Sequence, residues 1–84
     1  MNDIIEKICG DILFQMKRNN LKVNELLPMK WISLTYRLQL NPNEQQYLKD
    51  AVDYLINEGY VTYEQRVLDG LVLTQKGFNF IYRN

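Results

Sequence analysis

Few side chains in this chain are equipped for chemistry, and their identities restrict the kind. Asp50 and Asp53, three apart, would stand side by side on a helix as a carboxylate pair. Such a pair does acid–base work when its surroundings drive the two pKa values apart. Glu58 and six tyrosines are the other groups an active site could draw on. Histidine is absent and Cys9 is the single cysteine. That removes the usual general base, the commonest transition-metal ligand, an intrachain disulfide and a cysteine-rich zinc site. Cys9 follows Ile8 in an apolar run and reads as a packing residue. No pocket is suggested around Asp50 and Asp53, which read as solvated surface acids. The expectation is a non-enzyme with no metal and no cofactor.

Aromatic side chains outside the apolar stripes are the second informative set. Phe14 lies nearly opposite the apolar face of the first helical pattern, and Phe80 falls off the face made by Phe78, Ile81 and Tyr82. Tyr47 and Tyr54 flank Ala51 along one edge of another helix. Exposed aromatics are enriched at protein interfaces, so these four are candidate contact residues. The alternative is that Phe14 and Phe80 cover one another, or pack beneath a neighbouring helix, within one monomer.

Composition narrows the class. Eighty-four residues make a single domain spanning 1–84, and a hydrophobic fraction of 46% suffices for a packed core. No apolar run approaches a membrane span, and the N-terminus lacks the basic-then-apolar order of a signal peptide, so the reading is a cytoplasmic protein with no membrane partner. Ten basic and ten acidic side chains cancel. Proteins that live on nucleic acid usually carry a positive excess, because counterion release from phosphates drives their non-specific affinity.

The elements that would position these residues are readable from caps and spacing. Asp3 and Glu6 have the spacing of a capping box. Ile5, Ile8, Ile12 and Met16 follow at helical intervals, flanked by Ile4, Cys9 and Leu13, with Asn19-Asn20 as a left-handed stop. Gly10 sits inside this helix at a cost of about 1 kcal/mol relative to alanine. From Leu21 to Leu27 the pattern is weaker, with Asn24 able to cap a short turn and Pro28 suited to begin a helix. Between Trp31 and Leu40 apolar and polar residues alternate strictly, a strand signal. However, Ile32-Tyr36 and Leu34-Leu38 also satisfy helical spacing, and a short turn joins the segment to a strong helix. The reading is helix from about Pro28 to Gln39. Asn41, Pro42 and Glu44 then open a helix whose stripe is Leu48, Ala51, Val52, Leu55 and Ile56, with Gly59 as its stop. Tyr60 to Glu64 and Leu71 to Leu73 read as strands, Asp69-Gly70 as a turn between them, and Thr74 as the cap of a last short helix.

From Met29 onward the chain resembles small bacterial winged helix-turn-helix domains, including single-domain winged-helix proteins of unknown function. Arg37-Leu38-Gln39-Leu40-Asn41 carries the likeness at the turn. Tyr54-Leu55-Ile56-Asn57-Glu58-Gly59-Tyr60-Val61 carries it entering the wing, and Leu73-Thr74-Gln75-Lys76-Gly77 leaving it. The resemblance implies a mainly α fold with a small β-hairpin (α+β): three helices, a wing and a short C-terminal helix. In such regulators the helix after the turn enters the major groove and the wing touches flanking backbone. Carried over, the reading positions are Asn43, Gln46, Lys49, Asp50 and Asp53, with Arg66 on the wing. Asn and Gln can read adenine edges, and Lys49 could meet guanine or phosphate. Two readings stay open: a small DNA-binding regulator or accessory factor, and a protein-interaction or homodimerisation module that binds no nucleic acid.

The stripes set an expectation for stability. Leu48→Ala or Leu55→Ala should cost about 2–5 kcal/mol, and Gln46→Ala should stay within about ±0.5 kcal/mol, in urea melts.

Overall fold

A computed structural model of the chain describes residues 2–83. Helix α1 (Asp3–Arg18) opens on Asn2, whose side-chain oxygen accepts from the backbone N–H groups of Ile4 and Ile5. The cap is therefore Asn2 rather than Asp3. Asn2 is the extended residue, while Asp3 and Glu6 lie in the first turn, where carboxylates favour the positive end of the helix dipole. The helix ends as expected, with Asn20 at φ 57 and the Leu21 N–H returning to the Met16 carbonyl at 3.0 Å.

The next segment departs from expectation. Leu26–Pro28 is not the start of a helix but a strand, β1, and Asn24 holds a positive φ of 74 while its N–H bonds the Leu73 carbonyl. Proline is tolerated there because β1 is an edge strand, where a missing ladder donor costs little. Helix then runs over residues 29–39, which resolves the alternating stretch in favour of helix. It is not a plain α-helix. Trp31–Tyr36 form a π segment and Arg37–Gln39 a 3-10 turn.

Asn41 caps the following helix with a complete capping box: it accepts from the Glu44 N–H at 2.8 Å, and Glu44 accepts from the Asn41 N–H at 3.0 Å. This helix is broken where the sequence suggested continuity. Pro42–Gln45 form a short α2, Gln46 and Tyr47 turn, and Leu48–Asn57 form α3. The Gln45 amide donates to the carbonyls of Arg37 and Leu40, which ties α2 to the end of the 29–39 segment. Gly59 at φ 79 closes α3, with the Tyr60 N–H reaching the Leu55 carbonyl.

Strands β2 (Val61–Gln65) and β3 (Asp69–Leu73) form a hairpin, and β1 adds to its other side in the order β1-β3-β2, all antiparallel. The expected two-stranded hairpin is thus a three-stranded sheet. Its turn is Arg66 to Leu68, with Asp69 and Gly70 already in β3. Gly70 sits there because β1 crosses closely: a β-carbon would collide with the Leu27 carbonyl and the Leu26 side chain. Thr74 caps α4 (Gln75–Tyr82) by accepting from the Gly77 N–H.

The fold is therefore α+β, with four α-helices, the 29–39 segment and one antiparallel sheet. Ile8, Ile12 and Met16 of α1, Ile32, Leu55 of α3, and Leu71 and Leu73 of the central strand fill one core. Leu48, Val52 and Ile56 pack at its margin, half-buried. Leu48→Ala should accordingly cost less than Leu55→Ala, because less of the side chain leaves water on folding. No helix among the described residues is long and apolar enough to cross a membrane.

Gly10 faces open space, with nothing within 4 Å of a built β-carbon. Gly10→Ala should therefore raise stability by about 0.5–1 kcal/mol through helix propensity alone. Gly70→Ala should lower it by about 1–3 kcal/mol, because β1 must move aside. Urea unfolding of both variants checks the two signs.

Candidate interaction surfaces

The residues expected to read DNA lie on two short helices rather than on one continuous face. Asn43 belongs to α2, Gln46 to the turn, and Lys49, Asp50 and Asp53 to α3. All are exposed except Asp53, which is half-buried. Their hydrogen-bonding capacity is partly spent internally. The Gln46 amide donates to Asn43 Oδ1 at 2.8 Å, and the Lys49 ammonium donates to Asp53 Oδ2 at 2.8 Å. The Asp53 carboxylate raises the Lys49 pKa. Asp50 and Asp53 border an open depression of about 450 Å³ beside Ile5 and Tyr54. Among the described residues no group of three or more His, Cys, Asp or Glu is arranged to hold a metal.

Arg66 stands at the hairpin turn, away from these helices. Its guanidinium donates to Glu64 at 3.0 and 3.1 Å and to the Asn24 carbonyl at 2.8 Å, which pins the hairpin to the start of β1. The tip beyond it is apolar: Val67 is fully exposed and Leu68 more than half exposed. On the same hairpin the Tyr63 hydroxyl donates to Asp69, a bond that raises the Tyr63 pKa.

The four candidate contact aromatics divide. Phe14 and Phe80 stay more than half exposed. Phe14 borders a polar groove of about 580 Å³ with Trp31 and Tyr36, whereas the Phe80 ring lies 4.9 Å from that of Tyr60. They occupy different surroundings. Tyr47 and Tyr54 are half-buried and packed against the core, and desolvation raises the Tyr54 pKa.

Sequence reasoning missed another exposed pair, Leu34 at 53% and Leu38 at 77%. The alternating run holds two helical stripes. Ile32, Tyr36 and Leu40, spaced by four, are buried, and Leu34 and Leu38, also spaced by four, face outward. Splitting the run by helical spacing would have found them. Beside this segment lies an apolar groove of about 390 Å³, floored by Met29, Ile32, Leu48 and Val52, with Arg37 and Lys49 at its rim.

Polar ties hold the 29–39 segment and α2 against α1. The Tyr36 hydroxyl donates to Asp11 at 2.6 Å, and Lys7 pairs with Glu44 at 3.2 Å and with Asp11 at 3.9 Å. Burial and the bond to Asp11 drive the Tyr36 pKa upward. The backbone bond from Asn41, helped by Lys7, lowers that of Glu44.

Cys9 is buried, its thiol 3.4 Å from the Ala51 carbonyl. Desolvation, reinforced by Glu6, pushes its pKa from 9.0 up to about 11. No family model, curated protein or solved structure matches the chain.

A pKa raised in the folded state means that the native thiol keeps its proton after the unfolded one has lost it. Its contribution to stability is present below pH 9 and disappears as the pH climbs from 9.0 toward about 11. Urea melts between pH 8 and 11 should show a steeper decline for the native chain than for Cys9→Ala, and iodoacetamide at pH 8 should label Cys9 only in urea.

Proposed function

We propose that this chain is a winged-helix module that works through contacts with another protein rather than as an autonomous reader of DNA. Support for the fold name comes from the order of elements: a helix, a strand, the 29–39 segment joined by a tight turn at Leu40 and Asn41 to the broken pair α2 and α3, and a hairpin whose second strand also pairs with the first strand of the sheet.

The observation that carries the protein-contact reading is the state of the surfaces such a module would turn toward DNA. Lys49 is paired with Asp53, and Arg66 is committed to Glu64 and to the Asn24 carbonyl. The hairpin tip offers Val67 and Leu68 in place of cations. Phosphate neutralisation supplies most non-specific DNA affinity, and a neutral chain with its local cations engaged has little of it to offer. Apolar tips and exposed aromatics are what a protein partner covers. The competing reading, a small DNA-binding regulator, has the exposed amides of Asn43 and Gln46 in its favour, since such amides can pair with adenine.

Fluorescence anisotropy with a mixed-sequence duplex, run from low to physiological salt, separates the two. The expected result is weak binding at low salt, gone at physiological salt. Tight binding at physiological salt that Lys49→Ala weakens would hand the surface to the regulator reading. Light scattering on the same samples reports mass, and a dimer broken by Phe14→Ser or Phe80→Ser would make a second copy the protein partner.

A further inference from the structure

The 29–39 segment displays an unusual combination. Leu34 and Leu38 stand one helical turn apart, 53% and 77% exposed. From Leu26 to Asn43 the only charged side chains are Lys30 and Arg37, in a chain whose ten basic and ten acidic side chains cancel overall. Neither has an ion-pair partner among the described residues. Arg37 and Lys49 also rim the adjoining groove floored by Met29, Ile32, Leu48 and Val52. The apolar stripe and the two unpaired cations thus lie on one segment, and Arg37 also borders the apolar groove.

Resting on the protein-contact reading above, we infer that this region is a docking site for an acidic amphipathic helix of a partner protein. A helix laid in a groove presents apolar anchors at i, i+3 or i+4 and i+7, and its flanks meet the rim. Leucines on those anchors cover Leu34, Leu38 and the groove floor, and glutamates on the flanks meet Lys30 and Arg37. Charge complementarity of this kind steers encounter and fixes register more than it adds affinity. A second copy fits poorly. Two-fold pairing brings the same patch against itself, so Lys30 and Arg37 would face their own kind with no carboxylate on the segment to offset them. A phosphate backbone would satisfy the cations and leave the leucines uncovered.

The test uses the full chain as bait for a displayed library of helical peptides built from Leu, Ala, Glu and Lys. Selected ligands should carry leucine at helical spacing and an excess of glutamate. Leu38→Ser and Arg37→Glu should each weaken the best ligand about tenfold or more, and its Glu-to-Lys counterpart should recover binding to Arg37→Glu. Both substitutions fall on exposed side chains, so urea melts of the variants should match those of the parent. A lysine-rich selection, no recovered ligand, or affinity indifferent to both substitutions would overturn the proposal. Ligands that ignore Leu38→Ser but are lost with Val67→Ser would overturn this site while leaving the protein-contact reading standing. Duplex binding at physiological salt that is lost with Arg37→Glu would overturn both.

Discussion

Between Trp31 and Tyr36 the backbone bonds from i to i+5, and much of what the molecule buries and displays follows from that wider turn. Residues five apart point about 140° from each other around an α-helix of 3.6 residues per turn. The wider ring brings them nearly into line, and the Trp31 and Tyr36 rings stack at 5.3 Å. Tyr36 can then send its hydroxyl to Asp11 on α1 while Ile32 and Leu40 stay in the core. Leu34 and Leu38, two residues along from the buried Ile32 and Tyr36, face outward. One short stretch of chain therefore contributes to the core and presents an apolar outer face.

Two carboxylates take part in the ties around this segment. Asp11 accepts from Tyr36, while Glu44 closes the capping box on Asn41 and meets Lys7. These ties fasten the 29–39 segment and α2 to α1, while Lys30 and Arg37 hold no ion pair among the described residues. On α3 and the hairpin the balance is reversed, since Lys49 and Arg66 each hold a carboxylate. A chain of zero formal charge thus becomes electrostatically uneven through its internal pairing. That distribution, rather than the net value, bears on what the protein can bind.

The sheet has a comparable economy. β3, the central strand, is buried almost throughout, while β2 is mostly exposed. Leu71 and Leu73 anchor the core, and backbone bonds from Asn24 and to Glu25 extend the pairing past the start of β1. Arg66 adds a side-chain tie between the hairpin turn and the same loop. The loop after α1 is thereby fixed to the far end of the chain.

Local chemistry made the helix ends and the main stripes legible in advance. The box at Asn41 and Glu44, the cap at Thr74, the left-handed stops at Asn20 and Gly59 and the apolar face of α1 each depend on a few neighbouring residues, so a linear reading finds them. Features that depend on distant partners were not legible. β1 is three residues long and exists because β3 accepts it. The break at Gln46 and Tyr47 accompanies the grip of Gln45 on the end of the preceding segment. Gly70 is required by a strand that crosses it, not by a turn. The candidate surface divides in the same way. The Lys49–Asp53 and Arg66–Glu64 pairs are local, one helical turn and two residues apart. By contrast, the bond from Arg66 to the Asn24 carbonyl and the burial of Ile32 and Tyr36, which sets the outer face of the 29–39 segment, depend on the fold. The types and spacing of residues set which groups could be presented, and only packing and pairing across the fold determined which remained available.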